Sequence, residues 1–196
     1  MLPDLPVGIR LLGLTGPPGV GKSTLARTLG LPVLPMDGFH YADLELARRR
    51  LLDRKGAPET FDAEGYAALL GRVRAGEAEV VAPMFERDLE QPIAGAIPVP
   101  ATGVVVTEGN YLLLDEPRWQ AVRDRIDVVW HLSLDDAVRV ERLIARHVAF
   151  GKSPGEARAW VARVDEVNAR LVEAARDRAD LVVELSPEAL PRTPPA

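Results

Sequence analysis

The chain has 196 residues, a formal net charge of −5, no cysteine, and 21 arginines against three lysines (Lys22, Lys55 and Lys152). The length suits one compact domain with a core of its own, and at 47% hydrophobic but 5% aromatic residues that core is aliphatic. The charge balance argues against a nucleic-acid track or an anionic-membrane binder, the missing cysteines exclude disulfides and thiolate sites, and no apolar run approaches the ~20 residues of a membrane-crossing helix.

Residues 1–6 lack the basic and apolar regions of a secretory signal, so a cytoplasmic protein is expected. Both Pro-rich ends, 1–6 and 191–196, read as frayed. Five short apolar runs read as buried strands: 9–14, 33–36, 103–107, 127–132 and 181–185. Runs such as Val104-Val105-Val106 do not alternate, which fits parallel strands covered on both faces. Helical patterns lie between them at 23–29, 43–54, 63–74, 116–125, 135–150 and 154–178. Strands alternating with helices predict an α/β doubly wound fold in a single domain. Residues 75–100, with Pro83, Pro92, Pro98 and Pro100, read as the least regular stretch.

The sharpest signal follows the first strand: Gly16-Pro17-Pro18-Gly19-Val20-Gly21-Lys22-Ser23, which fits G-x-x-x-x-G-K-[ST] between a strand and a helix. Glycines let backbone N–H groups turn inward around a phosphate. Lys22 can neutralise β/γ-phosphates, the Ser23 hydroxyl can ligate Mg²⁺, and Thr24 can reach the α-phosphate. A nucleoside triphosphate with Mg²⁺ is therefore expected.

Two further strand ends carry acids. The second runs into Met36-Asp37-Gly38-Phe39-His40-Tyr41, where Asp37 can take a proton from an attacking hydroxyl or support a metal-bound water; a plain Asp-Gly turn is the alternative. The third ends in Thr107-Glu108-Gly109-Asn110-Tyr111, where Glu108 can hold a Mg²⁺ water or an acceptor hydroxyl. Phe39, Tyr41, Phe85 and Tyr111 lie on segments aimed at the crevice, where aromatic rings can stack on a planar acceptor, and His40 can bind the acceptor or belong to an ordinary hydrogen-bonded turn. His131 reads as a core residue, Trp119, Trp130 and Trp160 as packing, and no His–carboxylate spacing suggests zinc.

Together these segments resemble the uridine kinase, phosphoribulokinase and bacterial pantothenate kinase group of P-loop kinases, most closely its uridine kinase-like branch. The resemblance rests on Gly16 to Thr24, Met36 to Tyr41, Lys55 to Asp62, Pro83 to Arg87 and Glu108 to Leu114. It implies a P-loop three-layer sandwich with a five-stranded parallel sheet and a helical lid over about 135–170. It further implies ATP and Mg²⁺, Asp37 as catalytic base and Glu108 as the acid of the E-G element. Arg87 would contact substrate or phosphate, one residue closer than in the P-x-[FY]-x-x-R pattern. Pro58 to Asp62 would wall the acceptor pocket. Asp62 weighs as helix N-cap ahead of acceptor ligand.

Residues 135–150 carry Arg139, Arg142 and Arg146 on one helical face. The resemblance implies lid arginines that stabilise charge during phosphoryl transfer; a solvated helix face is the alternative. Uridine kinases typically show R-x-x-R-D here. This chain has Arg142-Leu143-Ile144-Ala145-Arg146-His147, with a longer spacing and no acid, so Arg146 is the first candidate and Arg142 the second. Asp165, Asn168 and Arg170 read as solvent-exposed ahead of site-facing. The leading expectation is a small-molecule kinase acting on a hydroxyl, with a nucleoside first and a sugar or pantothenate-type acceptor next. The resemblance also allows a homo-oligomer. A regulatory NTPase is the other reading, although no N-K-x-D or L-S-G-G-Q sequence is present.

Overall fold

The structure, a computed structural model, describes residues 3–186. Of the ends expected to fray, residues 1–2 and 191–196 lie outside the described residues, and Pro3 to Pro6 take no regular structure. In chain order the elements are β1 (Leu11–Thr15), α1 (Lys22–Thr28), β2 (Val33–Pro35), α2 (Asp43–Arg49), α3 (Ala63–Arg74), β3 (Val80–Glu86), β4 (Gln91–Val99), β5 (Val105–Glu108), α4 (Pro117–Arg123), β6 (Val128–Ser133), α5 (Asp136–Ala149), α6 (Pro154–Trp160), α7 (Glu166–Ala174) and β7 (Leu181–Glu184).

The five strands expected from the apolar runs form one sheet in the order β2-β5-β1-β6-β7, every pair parallel. Successive side chains of a strand point to opposite faces, and here both faces are apolar. Leu11, Val105 and Val129 join one core with Tyr66, Leu70 and Trp119. Their neighbours Leu12, Val106 and Trp130 join a second core with Leu25 and Ala26 of α1. That division makes the three-layer sandwich, and it explains why β1 and β5 are buried at every residue.

Two stretches depart from the sequence expectation. Residues 75–100 are not irregular: β3 and β4 form a separate antiparallel hairpin, with a register shift between Ala82 and Met84 that accommodates Pro83. Proline is tolerated in a two-stranded ribbon because both edges are free of ladder partners, so the prolines concealed the strands. The helix expected over 154–178 is broken. α6 passes into a π-helical turn, Val161–Asp165, then α7 and a 3₁₀ turn, Arg176–Arg178. The helix expected over 43–54 likewise stops early, where Arg50 turns left-handed at φ 60°, and a 3₁₀ turn follows at Leu52–Arg54.

Side-chain caps fix three helix starts. Asp62 accepts from Gly65 N at 3.0 Å, Asp135 accepts from Val138 N at 3.1 Å, and Ser153 with Glu156 forms a reciprocal capping box. Among the described residues no helix is long and apolar enough to cross a membrane.

Candidate active site

The ends of β2, β5 and β1 lie side by side. Glu108 is in register with Leu14 of β1 and with Pro35 of β2, and Asp37 follows two residues after Pro35 on a 3₁₀ turn, Met36–Phe39. The carboxyl end of a parallel sheet is where the loops of such folds converge. The Gly16–Ser23 loop rises from β1 at the same edge.

That loop is wedged against α5. A Cβ on Gly19 would stand 2.6 Å from Leu143 Cγ and 3.0 Å from the Arg139 carbonyl, at a φ of +82° that L side chains rarely adopt. Glycine is thus required both for the turn and for the close approach of α5. Arg139, only 1% exposed, straps the two together: it donates to the Pro18 carbonyl at 3.2 Å and pairs with Asp136 at 2.9 Å and Glu166 at 2.7 Å. The structure therefore gives Arg139 a fastening role on the face shared with Arg142 and Arg146.

Lys22 is buried, and its ammonium donates to the carbonyls of Gly16 at 2.8 Å and Pro17 at 3.1 Å. Burial draws its pKa down to about 8, against the pull of Glu108 and Asp37 and with the help of Arg146 and Arg139. Ser23 Oγ donates to Glu108 Oε1 at 2.9 Å. Burial, then the charge of Asp37, push Glu108 up from the usual carboxylate range; Lys22 and the Ser23 hydrogen bond partly offset them. Asp37 moves the other way. Burial alone would raise it, but His40, Arg87, Lys22 and Arg146 outweigh burial and hold it below its ordinary value. Two carboxyls with opposed shifts stand over one buried lysine, an arrangement typical of sites that divide proton and charge work.

Ser23 and Glu108 supply two hard oxygen donors within contact of each other. Among the described residues no cluster of three His, Cys, Asp or Glu could hold a metal. A cation here would take its remaining ligands from phosphate oxygens and water, which is the habit of Mg²⁺.

The other side of the crevice is built by tertiary contacts. Arg87, at the end of the β3–β4 hairpin, pairs with Asp37 Oδ2 at 2.8 Å. The hairpin lies directly on the Asp37 turn, since a Cβ on Gly38 would stand 2.3 Å from the Pro83 carbonyl oxygen. Residues 39–41 bond to 60–62, with Asp62 N to the Phe39 carbonyl at 2.8 Å and Tyr41 N to the Thr60 carbonyl at 2.9 Å. A pocket of about 320 Å³ opens here, lined by Phe39, His40, Tyr41, Asp62, Pro83 and Ala94 among others. His40 Nδ1 meets the Asp37 carbonyl at 2.8 Å, and its ring lies 3.9 Å from Phe61 and 4.8 Å from Phe85. Burial pulls its pKa below the ordinary value, against Asp37.

Not every expected residue reaches the crevice. Tyr111 is fully buried against Phe61 and Trp119, and its hydroxyl donates to the Gly56 carbonyl, so it backs the pocket and offers no stacking face. Phe39 is 8% exposed and packs on Tyr66. Asp62 lines the pocket while capping α3. Arg142 is half-buried on α5. Arg146 is half-buried within the field of the site: burial and Arg87 lower its pKa, while Asp165, Asp37 and Glu108 oppose them. His131 is buried, with Nε2 3.2 Å from Glu173 and Nδ1 lacking a partner among the described residues. Trp160 is half-buried, with Lys152 and Arg163 over its ring.

Asp165 and Asn168 correct the sequence reading. Both are buried, whereas Arg170 is exposed. Asp165 Oδ2 meets His147 Nε2 at 2.8 Å, and Asn168 Nδ2 donates to the Gly56 carbonyl at 3.3 Å. A signal was available. Ala157, Val161, Ala169 and Val172 form an apolar helical stripe, and these two polar residues stand within it.

No protein-family model matches the chain. The Escherichia coli protein YggC is 34% identical over 186 residues, covering 89% of this chain and 77% of its own length. A Schizosaccharomyces pombe protein named "putative uridine kinase" is 32% identical over 193 residues, covering 89% and 82%. Among solved structures, one titled "putative fructose transport system kinase" from Silicibacter sp. TM1040 superposes with a TM-score of 0.81 at 41% identity, covering 93% of each chain.

Proposed function

The chain belongs to the uridine kinase, phosphoribulokinase and bacterial pantothenate kinase group of P-loop kinases, so it is a small-molecule phosphotransferase, and we propose that it passes the γ-phosphoryl group of ATP to a hydroxyl of a sugar-like acceptor in the pocket beyond Asp37. The observation that carries this reading is the Asp37 carboxylate, two residues beyond the Pro35–Glu108 register pair at the carboxyl end of the sheet, within the field of Lys22 and paired with Arg87.

In this reading Asp37 accepts the hydroxyl proton and aligns the hydroxyl oxygen, and the nearby positive charge keeps it ionised. Lys22 leaves the Gly16 and Pro17 carbonyls for the phosphate oxygens. Ser23 and Glu108 would hold Mg²⁺, which supplies charge neutralisation between the β- and γ-phosphates when bound. Residues 135–170 act as a lid. Gly151, at φ +96° between α5 and α6, supplies its hinge, and Arg146 is its charged tip.

A sugar moves ahead of a nucleoside because the aromatic faces already have partners. Phe39 lies on Tyr66, His40 packs against Phe61 and Phe85, and Arg49 covers Tyr41 at 4.1 Å. The similarity to the structure titled a fructose transport system kinase supports the same choice. A nucleoside is the second reading, favoured by the similarity to the S. pombe protein. ATP consumption measured against a panel of hexoses, pentoses, polyols and nucleosides tests both. Acceptor-dependent turnover is expected, and turnover indifferent to every acceptor overturns the kinase mechanism in favour of a regulatory NTPase.

A further inference from the structure

We infer that the part of the acceptor entering the pocket beyond Asp37 is uncharged, a neutral polyol in place of a hydroxy acid or a sugar phosphate. The inference rests on the reading of that pocket as the acceptor site.

The first observation is the lining. Phe39, His40 and Tyr41 supply rings, and Gly38, Ala42, Pro83, Pro92 and Ala94 complete the wall with apolar atoms and backbone. The remaining lining residue, Asp62, is an acid. One of its oxygens accepts from Gly65 N at 3.0 Å, which leaves lone pairs on the carboxylate for donors in the pocket. A sugar hydroxyl is such a donor, and a carboxylate or phosphate is not.

The second observation is that cations on the aromatic rim are each in contact with a carboxylate. Arg49, over Tyr41, pairs with Glu45 at 2.6 Å, a carboxylate it shares with Arg48. Lys55, over Phe85, pairs with Asp43 at 2.7 Å and also meets the Glu90 carbonyl. Arg87, over the same ring, pairs with Asp37 at 2.8 Å. An anionic acceptor that draws on one of these three cations takes it from its acid and then lies near both that acid and Asp62. Like charges so placed repel, with a strength that solvent screens at these partly exposed positions. A neutral polyol leaves all three pairs intact.

Matched acceptors test this. Pantothenyl alcohol is compared with pantothenate, sorbitol with gluconate, and ribulose with ribulose 5-phosphate, alongside fructose and uridine as neutral compounds, by kcat/KM at fixed ATP. The neutral member of each used pair is expected to exceed its anion by about tenfold or more. An anion used as well as its neutral counterpart overturns the inference and leaves the kinase reading standing. No transfer to any compound, with ATP bound, overturns the acceptor reading and the inference together. Asp62→Asn keeps a capping oxygen for α3 while removing the charge. The anion-to-neutral ratio is expected to rise several-fold in that variant, and an unchanged ratio overturns the charge argument.

Discussion

The two ends of the crevice hold their positive charge in opposite ways. At the phosphate loop Lys22 is buried and hydrogen-bonds the carbonyls of Gly16 and Pro17. At the hairpin end Arg49, Lys55 and Arg87 each touch a carboxylate. A lysine desolvated over carbonyls is an unstable arrangement that a polyanion relieves. Cations already matched with acids offer an anion little. The contrast separates the proposed triphosphate end from the proposed acceptor end at the carboxyl end of one sheet, and Asp37 lies between the two groups of cations.

The harshest way to break the contrast is Asp37→Ala. It removes the proposed base and also releases Arg87 from its partner, so the acceptor end gains a free cation. Phosphoryl transfer is expected to fall about 10³-fold, within the range of general-base contributions, while the ATP dissociation constant changes little. Single-turnover transfer and equilibrium nucleotide binding, measured on the same preparation, check this. Transfer at the wild-type rate would remove Asp37 from the mechanism.

Lys22 sharpens the contrast through pH. Its pKa is about 8 in the folded protein against 10.5 ordinarily, with burial as the main cause. Between those values the unfolded chain holds a proton that the folded chain does not. Stability of the nucleotide-free protein is therefore expected to rise with pH across that window, by up to about 3 kcal/mol from this group. A triphosphate at the loop favours the charged ammonium and restores the proton. Nucleotide binding near pH 9 should then take up a proton, read by calorimetry in buffers of different ionisation enthalpy. Lys22→Ala should abolish the uptake, and uptake that persists in that variant assigns it to another group.

The same two ends differ in how far they could be read from the chain. The phosphate end is local: eight consecutive residues carry the loop, the lysine and the hydroxyl, and the strand and helix flanking them are continuous apolar and amphipathic runs. Asp37 and Glu108 were legible because strand ends of a parallel sheet share one edge. The acceptor end is assembled from segments far apart in the chain, and no local pattern announces that Arg87 meets Asp37 across 50 residues. The hairpin was hidden by Pro83, Pro92 and Pro98. Asp165 and Asn168 fall at regular helical spacing within the buried stripe of Ala157, Val161, Ala169 and Val172, and their polarity, read as a mark of exposure, hid that burial. Tyr111 was misjudged for the opposite reason: its segment does reach the crevice, but its ring turns back into the core toward Phe61 and Trp119.

Gly38→Ala tests whether the hairpin alone shapes the acceptor end. The new methyl would meet the Pro83 carbonyl oxygen at 2.3 Å and its carbon at 2.7 Å, both backbone atoms, so the hairpin must move. A stability loss of about 1–3 kcal/mol is expected, with a raised acceptor KM and an unchanged ATP affinity. Equal effects on both ligands would show that the two ends are one mechanical unit.

The smallest effect separates the two duties of Asp62, which starts α3 and faces the pocket. Asp62→Ala removes the hydrogen bond to Gly65 N and is expected to cost about 1 kcal/mol of stability, as loss of an N-cap does. Asp62→Asn retains an oxygen in the same place and should cost only a fraction of that. Both remove the negative charge, so both should ease the exclusion of anionic acceptors to a similar degree. Thermal denaturation resolves the first difference, and acceptor competition resolves the second. If the alanine variant loses stability while the asparagine variant does not, and the two share one acceptor profile, then cap and charge act independently. An acceptor profile that instead follows stability would make Asp62 a structural residue only, and the polarity of the acceptor end would have to come from the paired rim alone.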